Sequence, residues 1–91
     1  MSKVIMFHGA SCPHCHHMMP IVDKLIEEGF EIEKLEVWSN PENAAKMREN
    51  KDTIIAACGD GLGVPTFFEP VGKRALCGEY TYEELKEWIQ K

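Results

Sequence analysis

Two cysteines three residues apart, in Cys12-Pro13-His14-Cys15, follow the apolar run Val4-Ile5-Met6-Phe7 and open a stretch with helical spacing. No other feature constrains the chain as much. Residues i and i+3 of a first helical turn lie on neighbouring faces, so their sulfurs can close a small disulfide ring with little backbone movement. The first thiol sits where unsatisfied backbone N–H groups and the helix dipole favour an anion. Cys12 is therefore the expected nucleophile and Cys15 the expected resolving thiol. The same spacing occurs in zinc sites, which need two further ligands.

A second feature lies far along the chain. In Gly63-Val64-Pro65-Thr66-Phe67-Phe68, a proline stands at the mouth of an apolar, strand-like run. Proline removes a ladder donor from a strand, so Pro65 implies an edge, a turn or a cis bond.

Together the dithiol and the proline-led strand resemble the thioredoxin superfamily. The resemblance spans essentially the whole chain, in the order strand, CxxC helix, strand, helix, proline-led strand, strand and final helix. It implies an α/β thioredoxin-like fold, with a four-stranded mixed sheet and three helices, and a cis-proline loop at Pro65 facing the dithiol. It also implies a substrate groove in which Val64, beside Pro65, pairs with extended substrate backbone as an added strand, with Ser11 and Gly78 close by. Thioredoxins carry a buried acid where this chain has Met6, and glutaredoxins a lysine and a tyrosine where it has Gly9 and His14. Cys-Pro-His-Cys itself is similar to the sequence in the disulfide-donating DsbA-type enzymes.

Ninety-one residues form one expected domain, 1–91, large enough for a core without obligatory disulfides or metal. The net charge of −5 argues against nucleic-acid partners, whose affinity rests on Lys and Arg neutralising phosphates. No apolar run approaches a membrane span, and the amino-terminal run reads as a first strand rather than a signal peptide. A cytoplasmic monomer is the expectation.

The element pattern is local and readable. A buried strand is expected from Lys3 to His8, a turn at Gly9-Ala10-Ser11 with Ser11 as a candidate helix cap, and a helix carrying Met18, Met19, Val22, Leu25 and Ile26 at roughly helical spacing and ending at Gly29. Pro20 should kink it. A second strand nearer the sheet edge runs from Glu31 to Trp38, and Asn40-Pro41 opens a helix through Ala44, Ala45 and Met47. Asn50-Lys51-Asp52 breaks that helix, Thr53 to Ala57 reads as a short turn, and the glycine-rich stretch 59–63 as a loop. Strands are expected from Thr66 to Glu69 and from Arg74 to Cys77, joined by a hairpin at Pro70-Val71-Gly72-Lys73. A capping box at Thr81-Tyr82-Glu83-Glu84 starts a final helix with Leu85, Trp88 and Ile89 inward. The first two strands should be parallel and the last two antiparallel.

The expected function is thiol–disulfide exchange with protein or small-molecule disulfides, followed by reduction through an external thiol reductant or reductase. No cofactor is required beyond the redox-active Cys12–Cys15 disulfide, and no metal. His14 is expected to stabilise the Cys12 thiolate through its imidazolium or ring N–H, favouring the reduced dithiol. His16 and His17 read as exposed polar residues, and His8 as a packing or loop contact. Cys58 and Cys77 read first as two reduced thiols, then as a second disulfide or an accessory thiol that receives the oxidation, and last as metal or cluster ligands with Cys12 or Cys15. The competing class is a module binding zinc, copper or an iron–sulfur cluster through Cys12, His14, Cys15, His16 and His17. A redox-inactive interaction module is a third possibility.

Overall fold

The computed structural model describes residues 3–59 and 63–91; of the expected loop at 59–63, residues 60–62 lie outside the described residues. In chain order the elements are β1 (Val4–His8), α1 (Pro13–Glu27), β2 (Ile32–Glu36), α2 (Pro41–Glu49), α3 (Lys51–Cys58), β3 (Thr66–Glu69), β4 (Arg74–Cys77) and α4 (Tyr82–Gln90). The strands form one mixed sheet in the order β2-β1-β3-β4. β1 pairs with β2 in parallel and with β3 antiparallel, and β3–β4 is an antiparallel hairpin.

The two central strands are buried along most of their length because both sheet faces are covered. On one face α1 and α4 bury Cys15, Met18, Val22, Leu25, Leu85 and Ile89 against Val4, Met6 and Phe67. On the other, Met47 of α2 and Ile54 of α3 pack with Ile5, Phe7 and Phe68. Burying each such side chain contributes about 1.5–3 kcal/mol before conformational entropy is counted. Trp88 is half-buried, with the Arg74 guanidinium over its ring at 4.7 Å. α1 runs through Pro20, which lies on its exposed side, and Gly29 follows it at φ 102°, a left-handed geometry suited to glycine.

Among the described residues there are four helices rather than three. Lys51–Cys58, whose central part was expected to be a short turn, forms α3, separated from α2 by Asn50 at φ −109° and ψ 19°. Its amphipathic signal is weak because Ile54 is its one buried residue. Packing against β4, rather than helical periodicity, places this segment.

Candidate active site

β1 delivers the chain to a turn and then to the dithiol. The Cys12 N–H donates to the Gly9 carbonyl at 3.2 Å, and Cys12 itself is the helix cap, at φ −81° and ψ 115°. Ser11 was the expected cap. Pro13, with its fixed φ and missing N–H, fits the first helical position, which leaves the cap one residue before it. The Cys12 sulfur accepts the backbone N–H of Cys15 at 3.2 Å, as a capping oxygen would. A backbone N–H donor and the N-terminus of α1 thus face the Cys12 sulfur.

Both sulfurs belong to free thiols, and both residues are buried: Cys12 is 3% exposed and Cys15 0%. Cys12 is thus more enclosed than an exposed first thiol would be. Burial pushes the Cys15 thiol up to about 12, helped by its hydrogen bond with the Cys12 side chain.

What covers Cys12 is the proline-led segment. The Val64–Pro65 peptide bond is cis, and the Cys12 S–H points to the Val64 carbonyl at 3.9 Å. Pro65 is buried, and its own carbonyl accepts the N–H of Gly78 at 3.0 Å. Gly78 adopts φ 101°, where a side chain would be strained. Its N–H is therefore engaged within the fold. Ser11 is exposed in the turn before Cys12.

The turn before Cys12 is fastened from two sides. Glu36, at the end of β2, accepts the Ala10 N–H at 3.0 Å, together with the N–H groups of Trp38 and Ser39 and the Ser39 hydroxyl. The Ser39 hydroxyl and these amides lower the Glu36 carboxyl to about 2. From α1, the His16 ring donates through Nε2 to the Ala10 carbonyl at 3.0 Å. Gly9 lies under Trp38, and a Cβ there would fall inside the indole ring. Burial lowers the titration of His8, the half-buried last residue of β1.

Among the described residues, no hydrogen bond joins His14 to Cys12. Its Nδ1 meets a Glu79 carboxylate oxygen at 2.5 Å, and His17 Nδ1 meets the other at 2.9 Å. The two rings stand edge to face, with centroids 6.5 Å apart. The His14 contact, followed by that of His17, holds the Glu79 carboxyl below the usual carboxylate range. The His14 ring is thus bonded to Glu79, and His17 has a partner that sequence reading did not foresee. Glu79 sits in the loop after β4, 65 residues from His14, and no local pattern marks it.

The Cys/His ligands of the competing metal-binding reading form no shared group among the described residues. Among the described residues, the one group of three Cys, His, Asp or Glu side chains close enough to share an ion is His14, His17 and Glu79, all exposed. The two sulfurs are not part of it.

Cys58 and Cys77 are joined in a disulfide, with Cα atoms 5.6 Å apart, within the usual range for such a bond. The first expectation, two reduced thiols, is thereby corrected. The link ties the end of α3 to the end of β4, a tertiary pairing that the spacing of the two cysteines does not reveal.

The sequence matches no protein-family model, and no curated protein matches it. Among solved structures, the chain is similar to a glutaredoxin from Archaeoglobus fulgidus, with a TM-score of 0.65 and 24% identity over 100% of this chain and 89% of that one. It is also similar to a glutaredoxin from Methanosarcina mazei Go1, with a TM-score of 0.68 and 18% identity over 97% of this chain and 78% of that one. The protein has the thioredoxin-like fold of these glutaredoxins.

Proposed function

We propose that the protein is a thiol–disulfide oxidoreductase in which Cys12 is the nucleophile and Cys15 the resolving thiol. One observation carries the reading: the Cys12 sulfur caps its helix, receives the Cys15 N–H at 3.2 Å and lies against the Val64 carbonyl of a cis Val64–Pro65 segment. A thiolate formed there is stabilised by a donor that needs no rearrangement.

In the proposed cycle, the Cys12 thiolate attacks one sulfur of a substrate disulfide. The substrate S–S bond breaks, one substrate sulfur leaves as thiolate, and a Cys12–substrate mixed disulfide forms. Cys15, held protonated by burial, must then lose its proton, and the departed substrate thiolate is a suitable acceptor. The Cys15 thiolate attacks the Cys12 sulfur and expels the second substrate thiolate. Two electrons have passed to the substrate, leaving a Cys12–Cys15 disulfide. An external thiol reductant or reductase reopens it.

Val64, whose carbonyl covers Cys12, is the edge along which extended substrate pairs as an added strand. Ser11 flanks that approach from the turn. Gly78 acts one step back, since its N–H holds the Pro65 carbonyl. Disulfides of proteins or small molecules are the substrate class, and a reducing, cytoplasmic setting suits a cycle that ends on a reductant.

The test is reduction of a quenched disulfide-linked reporter peptide by pre-reduced protein. Wild type is expected to release the reporter and Cys12→Ser to fall to the buffer rate. Equal rates for the two would exclude Cys12 as the nucleophile.

A further inference from the structure

The Cys58–Cys77 disulfide lies behind the covering segment of the active site. Cys77 is the cross-strand partner of Thr66, whose hydroxyl donates to the Gly63 carbonyl at 2.6 Å and lies 3.8 Å from the Cys77 sulfur. The next residue, Gly78, donates its N–H to the Pro65 carbonyl. The chain from Gly63 to Thr66 is thus fastened to the end of β4 that carries Cys77. On its other side, the same segment presents the Val64 carbonyl to the Cys12 sulfur. Cys58, the last residue of α3, closes the link across 19 residues of sequence, a span that contains Val64 and Pro65.

Two further observations distinguish this bond from a simple staple. Both of its cysteines are only half-buried, and Cys58 packs at the margin of its core cluster rather than within it. Accessible disulfides are the ones open to exchange, whereas structural ones resist it. The core that Ile5, Phe7, Met47, Ile54 and Phe68 form on this face also contains neither sulfur.

We propose that Cys58–Cys77 is a second redox-active disulfide, and that its opening loosens the Val64–Pro65 edge over Cys12 and thereby slows exchange there. This rests on the reading of Cys12 as nucleophile. The reductant is a dithiol. Its thiolate attacks one sulfur of the Cys58–Cys77 bond, which breaks, and the other cysteine leaves as a thiolate and takes up a proton. The second thiol of the reductant then displaces the mixed disulfide, leaving two cysteine thiols and an oxidised, cyclic reductant. Two electrons pass in all.

The experiment uses the full chain carrying Cys12→Ser and Cys15→Ser, equilibrated in mixtures of reduced and oxidised dithiothreitol. Two thiols should appear in one two-electron step without denaturant. Hydrogen exchange of residues 63–68 in the same protein should be several-fold faster after reduction. A thiol count that stays at zero until the protein is unfolded, or exchange that does not change, overturns the proposal whether or not Cys12 is active. With Cys12 and Cys15 restored, wild type reduced only until a thiol count shows the active-site pair open and Cys58–Cys77 still closed should reduce the reporter peptide about tenfold faster than Cys58→Ser/Cys77→Ser, within the range usual for coupled sites. An active wild type matched by this variant defeats the coupling alone. A wild type without Cys12-dependent activity defeats the proposed function instead.

Discussion

The sulfur of Cys12 receives the backbone N–H of Cys15 at 3.2 Å, so the first thiol is capped by the residue that carries the second. The two thiols therefore have different surroundings within one helical turn. Cys12 has a fixed donor and the helix N-terminus, whereas Cys15 is enclosed with no exposed surface.

That asymmetry predicts how Cys15 titrates. In Cys12→Ser, thiolate absorbance from Cys15 should appear only well above its ordinary value of 9.0, because burial, the largest cause, remains. Because the folded thiol resists ionisation while the unfolded one does not, stability should fall as pH rises from about 9 to about 12. A Cys15 titration at its ordinary value would contradict the burial argument.

Glu36 predicts an acid limit. Its carboxyl is lowered from 4.5 to about 2 by the Ser39 hydroxyl and by amides that include Ala10, two residues before Cys12. A depressed folded value contributes stability above pH 4.5 that is lost as pH falls toward 2. Urea midpoints recorded across that window should decline in wild type and decline less in Glu36→Gln, which has no charge to lose. Parallel curves would remove Glu36 as the anchor of the turn.

Glu79 is tested directly by carboxyl NMR. Its midpoint should lie below 4.5, with the His14 contact the larger cause and the His17 contact the second. In His14→Ala/His17→Ala the midpoint should return toward 4.5. The ion pairs form only while the imidazoles are protonated and Glu79 is ionised, so their contribution is lost as pH falls through the lowered Glu79 value. An unchanged midpoint in the double variant would mean that the histidines do not hold the carboxylate.

Gly9 and Trp38 form a steric pair. Gly9→Ala drives a methyl group into the indole and should destabilise by about 1–3 kcal/mol, the usual cost of overpacking. Trp38→Ala should relieve most of that, so the two changes should be far from additive in a double-mutant cycle by chemical denaturation. Additive effects would show that the ring is free to move aside.

What was legible in the sequence is local. The Thr81–Glu84 capping box, the hairpin between β3 and β4 and the buried face of α1 each depend on residues within a few positions of one another. α3 was missed because its sequence, Lys-Asp-Thr-Ile-Ile-Ala-Ala-Cys, buries one residue and depends on β4 for its place. The cap fell on Cys12 instead of Ser11 because Pro13 fixes the start of the helix, a rule that was readable in the sequence. Glu36, Glu79 and the Cys58–Cys77 bond act over 19 to 65 residues, where no spacing rule applies.

The division of labour between Cys12 and Cys15 is the central claim, and covalent trapping tests it most directly. Cys15→Ser and Cys12→Ser, each also carrying Cys58→Ser/Cys77→Ser, are reduced, incubated with an oxidised disulfide protein and separated on non-reducing gels. Cys15→Ser should accumulate a mixed disulfide that dithiothreitol releases, because Cys12 attacks and nothing resolves the product. Cys12→Ser should capture almost none, because its remaining active-site thiol is buried and protonated. Equal trapping by the two variants, or trapping by Cys12→Ser alone, would contradict the account.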